Sequence, residues 1–192
     1  MTQGPGAPIK RLQGTTWRRM LRVLKLDGSV YAEIESDPDG TRQAAWVVTL
    51  VATCAALGTV MLTSWQQWAI LGAVLAALIH WLLWSGLEAA IGRILFRRQV
   101  FGERHIRTLG YAQTPGLLAF FGFVPVAGPW LVVGSRVLTM LAGSQALRAS
   151  LELHRRQALA IRIVSFVAAL AAAAGVRAVL GDVPFLAALL RP

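Results

Sequence analysis

The chain has 192 residues, 56% of them hydrophobic and only 15% charged, against about a quarter charged in soluble domains, so lipid is its expected solvent. A formal net charge of +10 would suit nucleic acid, but Lys and Arg fall in short blocks between apolar runs, the pattern of topology signals, and no nucleic acid is expected as a partner. Cys54, the single cysteine, lies inside an apolar run, which excludes an intrachain disulfide, a CxxC pair and a thiolate metal site.

Residues 1–14 carry two glycines and two prolines in the first eight positions and lack the apolar core of a secretory signal, so a disordered tail is predicted there. Residues 15–42 read as a cytoplasmic amphipathic helical region. In TTWRRMLRVLKLD, helical spacing gathers Trp17, Met20, Leu21 and Leu24 on one face and Arg18, Arg19, Arg22 and Lys25 on the other. Such a helix suits an anionic bilayer surface, with Trp17, Arg18, Arg19, Arg22 and Lys25 as the lipid-surface contacts; packing against cytoplasmic loops is the alternative. A second short helical stretch ends at Asp37-Pro38-Asp39-Gly40, a strong turn signal.

Residues 43–180 form the predicted membrane domain. Between residues 43 and 87 there is no Asp, Glu, Lys or Arg, a length worth about 65 Å of helix, twice a ~30 Å hydrocarbon core. The polar break Ser64-Trp65-Gln66-Gln67-Trp68 divides it into two spans, about 44–63 and 68–91, joined as a tight hairpin. Five arginines and one glutamate make residues 93–107 an extramembrane loop. Uncharged residues 108–135 contain Pro115 and the turn signal Pro125-Val126-Ala127-Gly128-Pro129, so spans three and four are placed at about 109–125, kinked at Pro115, and about 130–147. An alanine-rich segment at about 158–180 is the fifth span, and residues 181–192, too short to cross again, form an extracytoplasmic tail.

Fifteen of the nineteen Lys and Arg fall on the side of the N-terminal region and only Arg191 on the other, which places the N-terminus in the cytoplasm and the C-terminus outside. The expected fold is therefore all-α: a polytopic helical membrane protein with five transmembrane helices preceded by a cytoplasmic amphipathic helix.

Three segments carry a family resemblance: the entry LDGSVYAEIESDPDGTRQA, the uncharged hairpin after it, and TLGYAQTPGLLAFFGFVPVAGPWLVVGSRVLTMLAGSQALRAS. Together they resemble the Ypt-interacting protein (Yip) domain family, five-span membrane proteins with a cytoplasmic N-terminus. The eukaryotic members bind prenylated small GTPases and shape membranes. The alanine- and arginine-rich usage resembles a bacterial member, which implies the bacterial inner membrane and does not carry GTPase binding over.

No G-x-S-x-G, H-E-x-x-H, P-loop or G-x-G-x-x-G pattern occurs, and His80, His105 and His154 lie in separate segments without metal-ligand spacing. No enzyme activity, cofactor or metal is expected. The informative residues are those that are costly in lipid. Glu88, the one acid within a predicted span, is expected in a polar cluster with Gln113, Gln145 and Arg162, paired to Arg162 or else Arg93; His80 and Arg136 are expected deeper in the membrane. Arg177 is expected to snorkel outward. Small residues at four-residue spacing (Ser135, Thr139 and Gly143; Ala142 and Ala146; Gly72 and Ala76; Ala52 and Ala56) mark helix contacts within the chain or between copies. The leading expectation is a non-enzymatic membrane scaffold, organiser or protein-interaction module, with the bilayer, a cytoplasmic protein or a second copy as partner. The alternative is a small transporter or channel whose hydrated path is lined by His80, Glu88 and Arg136.

Overall fold

The computed structural model describes residues 7–61, 67–97, 102–151 and 153–180, all of whose regular structure is helical. Seven α-helices and one 3-10 helix follow in order: α1 Ala7–Leu24, α2 Val30–Ser36, α3 Gly40–Val60, α4 Gln67–Phe96, α5 Gly102–Tyr111, the 3-10 helix Thr114–Phe123, α6 Ala127–Ser150 and α7 Arg155–Leu180. The expected all-α class holds. One helix among the described residues is long and apolar enough to cross a membrane, over Ile70–Leu95, and only 11% of its apolar stretch is buried.

Local chemistry sets the boundaries. α1 ends as the Leu26 backbone turns left-handed (φ 56°), with Leu26 N bonded to Val23 O and Asp27 N reaching back to Arg22 O, a Schellman-type closure that normally takes glycine. Asp27 then accepts hydrogen bonds from the Ser29 amide and hydroxyl and turns the chain into α2. Asp37 accepts from the Asp39 amide, so Asp37-Pro38-Asp39 makes the expected turn and α3 starts at Gly40.

Three sequence expectations are corrected. α1 begins at Ala7, so residues 7–14 of the expected disordered tail are helical, continuing the helix upstream of Thr15, while residues 1–6 lie outside the described residues. The third predicted span is not one α-helix. α5 stops at Tyr111, a turn covers residues 112–113, and the chain resumes as a 3-10 helix with Pro115 in its first turn. Proline has no amide hydrogen to continue the i to i−4 ladder, and the tighter winding follows it. At about 2 Å per residue these ten residues rise about 20 Å, short of a ~30 Å core by themselves. The loop predicted at 93–107 is largely helical, taken up by the ends of α4 and α5. The Ser64-Trp65-Gln66 break and the tail 181–192 lie outside the described residues, as does the Arg177 side chain.

The 3-10 helix is threaded between α3 and α6. Ala44 faces Gly110, Val51 faces Gly116, and Gly58 lies against the carbonyls of Ala119 and Phe120, so α3 and the 109–120 segment run side by side in the same direction. The chain then reverses tightly: Ala127 N bonds to Pro125 O at 2.7 Å across Val126, whose φ of 65° and ψ of −50° describe a γ-turn. α6 returns antiparallel with Gly128 against the Gly122 carbonyl.

Packing divides the molecule into two ends. At one end Met20, Val23, Val30, Tyr31 and Ile34 from α1 and α2 close over Val47, Trp81, Leu109, Leu147 and Ile161 from the longer helices. Towards the other end the same long helices turn apolar side chains outward, among them Leu71, Leu75, Ile79 and Leu83 on α4, Trp130, Val133 and Val137 on α6, and Phe166 and Val167 on α7. Monomeric soluble proteins rarely expose contiguous apolar surface on this scale.

Candidate functional site

The polar chemistry collects at the closed end, in two layers. The upper layer is a buried ion pair. Glu88 on α4 is fully buried and Arg162 on α7 is 5% exposed; Arg162 Nη1 donates to Glu88 Oε1 at 2.6 Å. Trp84, one turn before Glu88, donates its indole N–H to the same oxygen at 2.6 Å, and the Arg162 guanidinium lies 5.9 Å from the centroid of the Trp84 ring. His80, one turn further back, stacks on Trp84 at 5.2 Å. Position i, i+4 and i+8 on α4 thus make a continuous file leading to Arg162. A carboxylate buried without a counter-charge would be expelled or neutralised, so this pair fixes α4 against α7.

His105 on α5 belongs to the same layer, although nothing in its sequence spacing marks it as a site residue. It is buried, Nδ1 lies 2.9 Å from Ser150 Oγ on α6, and Nε2 has no hydrogen-bond partner. Burial pushes its pKa down to about 4, against a smaller upward pull from the Ser85 carbonyl; the Arg162 charge adds to the lowering. Tyr31 of α2 donates to the Ala142 carbonyl of α6 at 3.0 Å, and Trp81 to the Ile106 carbonyl at 3.1 Å.

The lower layer is a hub around Gln43 at the start of α3. Its Oε1 accepts from the Tyr111 hydroxyl at 2.6 Å, Arg19 Nη1 at 2.9 Å and Thr16 Oγ1 at 3.2 Å, while Nε2 donates to Asp37 at 3.0 Å. Arg19 also pairs with Glu33 and Asp37. Burial alone would lower the Arg19 pKa, and the hydrogen bonds to Asp37 and Glu33 more than reverse it. Arg19 holds Glu33 below the usual carboxylate range. For Asp37 burial pulls upward, yet the bonds from Arg19, the Asp39 amide and Gln43 leave it lowered. Arg22 reaches Asp27, Glu33 and Ser29, and Asp27 is drawn down to about 2 by Ser29 first and Arg22 second. Arg107 completes the hub from α5, donating to Thr41, the Asp37 carbonyl and Glu103.

Of the residues expected to cluster, the structure brings Glu88 and Arg162 together and leaves the two glutamines apart from them. Gln113 sits half-buried in the turn after α5. Gln145 lies over Gly28, lining a shallow cleft with Arg148 and Leu153. Arg93 is exposed and joins no ion pair among the described residues. Arg136 is exposed on α6 and His80 is exposed beside Trp84. Among the expected lipid contacts, Trp17, Arg18 and Lys25 are exposed, whereas Arg19 is 6% exposed and committed to the hub, because three acceptors on α2, the following turn and α3 face it. Arg22 is half turned inward to Asp27 and Glu33.

The fold and this site define an all-α protein whose charged groups join helices at one end and whose apolar side chains are displayed at the other. No family model, curated protein or solved structure matches the chain.

Proposed function

We propose that this chain is an integral membrane scaffold of the Yip type, with α1, α2 and most of α5 forming a cytoplasmic platform and five membrane passes, the third of which starts at the last residues of α5, from Leu109, and continues through the 3-10 helix. The observation that carries this reading is the placement of apolar surface: α4 is apolar over Ile70–Leu95 and almost unburied there, and the exposed side chains of α6 and α7 continue the same surface. Lipid accepts such a surface where water penalises it by roughly 25 cal/mol per Å². The charge asymmetry supports a cytoplasmic platform in the bacterial inner membrane, with fifteen of nineteen basic residues on that side.

A scaffold role is supported by the use of the polar groups. Glu88 is tied to Arg162 and Trp84, and Gln43, Asp37 and Arg19 bind one another across α1, α2 and α3. These groups hold helices in register. Reporter fusions test the topology: activity near Gly102 is expected inside the cytoplasm and after Pro192 outside. A cytoplasmic C-terminus would overturn the five-pass arrangement. Ion or solute flux above that of empty proteoliposomes, lost on Glu88→Gln, would replace the scaffold by a transporter.

A further inference from the structure

α1 has two chemically distinct sides, and only one is used by the fold. At about 100° per residue, Arg19, Met20 and Val23 fall within one arc of about 100°; all three are buried. Trp17, Leu21, Lys25 and Arg18 fall within the opposite arc, and all four are exposed, Trp17 by 53% and Leu21 by 39%. Lys25 stays on the helical path through its N–H bond to Leu21 O. The hub therefore clamps α1 by its inner face and presents a preformed stripe of two large apolar side chains edged by two cations.

The charge around this stripe is unbalanced. Asp27, Glu33, Asp37, Asp39, Glu88 and Glu103 are all held in ion pairs. Arg18 and Lys25 are exposed without an ion pair among the described residues, and so are Arg93 and Arg97 at the end of α4 and Arg155 and Arg156 opening α7. These positions surround the same end of the molecule, since Gly92 of α4 packs on Leu151 and Ile161. Internal acids neutralise the inward cations and leave the outward ones to an external anion.

We propose that the outer face of α1 docks on the anionic headgroup surface of the leaflet in which the protein is anchored, Trp17 and Leu21 entering the headgroup boundary and Arg18 and Lys25 pairing with lipid phosphates. This rests on the membrane reading above. Apolar insertion plus charge attraction is the recognised mode of in-plane helices, and each basic residue near such a surface favours docking by about fivefold, so the pair gives roughly 30-fold. Arg19 and Arg22 do not contribute, because Asp27, Glu33 and Asp37 already neutralise them.

The test uses the full chain carrying Cys54→Ala, with a fluorophore on Leu21→Cys in one protein and Leu75→Cys in another. Each is reconstituted in phosphatidylcholine vesicles with or without about 30% phosphatidylglycerol. The label at 21 is expected to be quenched by brominated lipid and shielded from iodide in the anionic vesicles, with the docked-to-free ratio falling roughly 30-fold in neutral lipid or on Arg18→Gln with Lys25→Gln. The label at 75, on the exposed apolar face of α4, should be quenched from lipid in both. An iodide-accessible label at 21 with a lipid-quenched label at 75 overturns the docking alone and leaves that face for a protein. A label at 75 without lipid quenching overturns the membrane reading itself.

Discussion

The Arg162 guanidinium lies against the backbone of Gly143, occupying the space that a Cβ at position 143 would fill. Small residues on α6 therefore serve a charged neighbour as well as close helix approach. Alanine is favoured over glycine inside a helix by about 1 kcal/mol, so an open site would gain stability on substitution. At Gly143 the methyl group must displace a guanidinium bound to Glu88, and disrupting a buried pair costs about 3–5 kcal/mol. Gly143→Ala is expected to lose about 2–4 kcal/mol net, read as thermal unfolding in detergent. Gly134→Ala, on the same helix with nothing within 4 Å of its Cβ, should be neutral or stabilising. Equal behaviour of the two variants would show that Arg162 relocates without losing Glu88.

The ion pair can be isolated by a double-mutant cycle. Glu88→Gln leaves Arg162 charged in a closed site, and Arg162→Gln leaves Glu88 likewise, so each single change should cost about 3–5 kcal/mol. Changing both removes the charges together. The double variant is expected to fall short of the sum by about 2–3 kcal/mol. Additive losses would mean that Glu88 and Arg162 act through separate surroundings.

His105 gives the platform a pH dependence. Its folded-state pKa near 4 lies below the ordinary histidine value near 6.5, so the unfolded chain binds the proton more readily. The stabilisation is complete above about pH 6.5 and is lost as pH falls towards 4, by about 3 kcal/mol over that window. Asp27, Glu33 and Asp37 are lowered instead, so their contribution persists above the normal carboxylate range and fails only below about pH 4. His105→Gln should flatten the stability profile between pH 6.5 and 4 and keep the steep acid limb. An unchanged slope between pH 6.5 and 4 in this variant would assign the dependence to other groups.

The sequence made the long helices legible because charge-free runs, capping turns and Pro-Gly signals are local features. The ends of α3, α4, α6 and α7 fall within a few residues of the predicted spans. The Glu88–Arg162 pair was legible, with Arg93 as the alternative, because a lone acid in an apolar helix has few bases at equal depth to meet. The hub was less legible. Arg19, Glu33, Asp37 and Gln43 come from three helices and a turn, and amphipathic spacing alone assigns Arg19 to the wrong side. A signal was present: five of the nine acids lie between residues 27 and 39, directly after a run of bases, the composition of an internally paired segment. The 3-10 helix was hidden because Thr114–Phe123 is uniformly apolar and its winding is decided by Pro115 and by the close approach of α3 at Gly58 and Gly116.

The reversal between the 3-10 helix and α6 should respond in opposite directions to two neighbouring changes. Val126 holds a positive φ that β-branched residues strongly disfavour, and its side chain is 85% exposed, so little packing offsets the strain. Glycine adopts this conformation without a Cβ penalty. Val126→Gly is therefore expected to stabilise the protein in detergent by about 1 kcal/mol. Gly128, two residues on, faces the Gly122 carbonyl so closely that a Cβ would collide with backbone, and backbone cannot rotate aside as a side chain can. Gly128→Ala should push the 3-10 helix from α6 and cost about 1–3 kcal/mol, despite alanine's better helix propensity. Trypsin resistance or thermal unfolding of both variants beside the wild type checks the pair. A stabilising Gly128→Ala would mean that the tight crossing of Gly122 and Gly128 is not what closes this turn, and a destabilising Val126→Gly would mean that the γ-turn is held by the valine side chain itself.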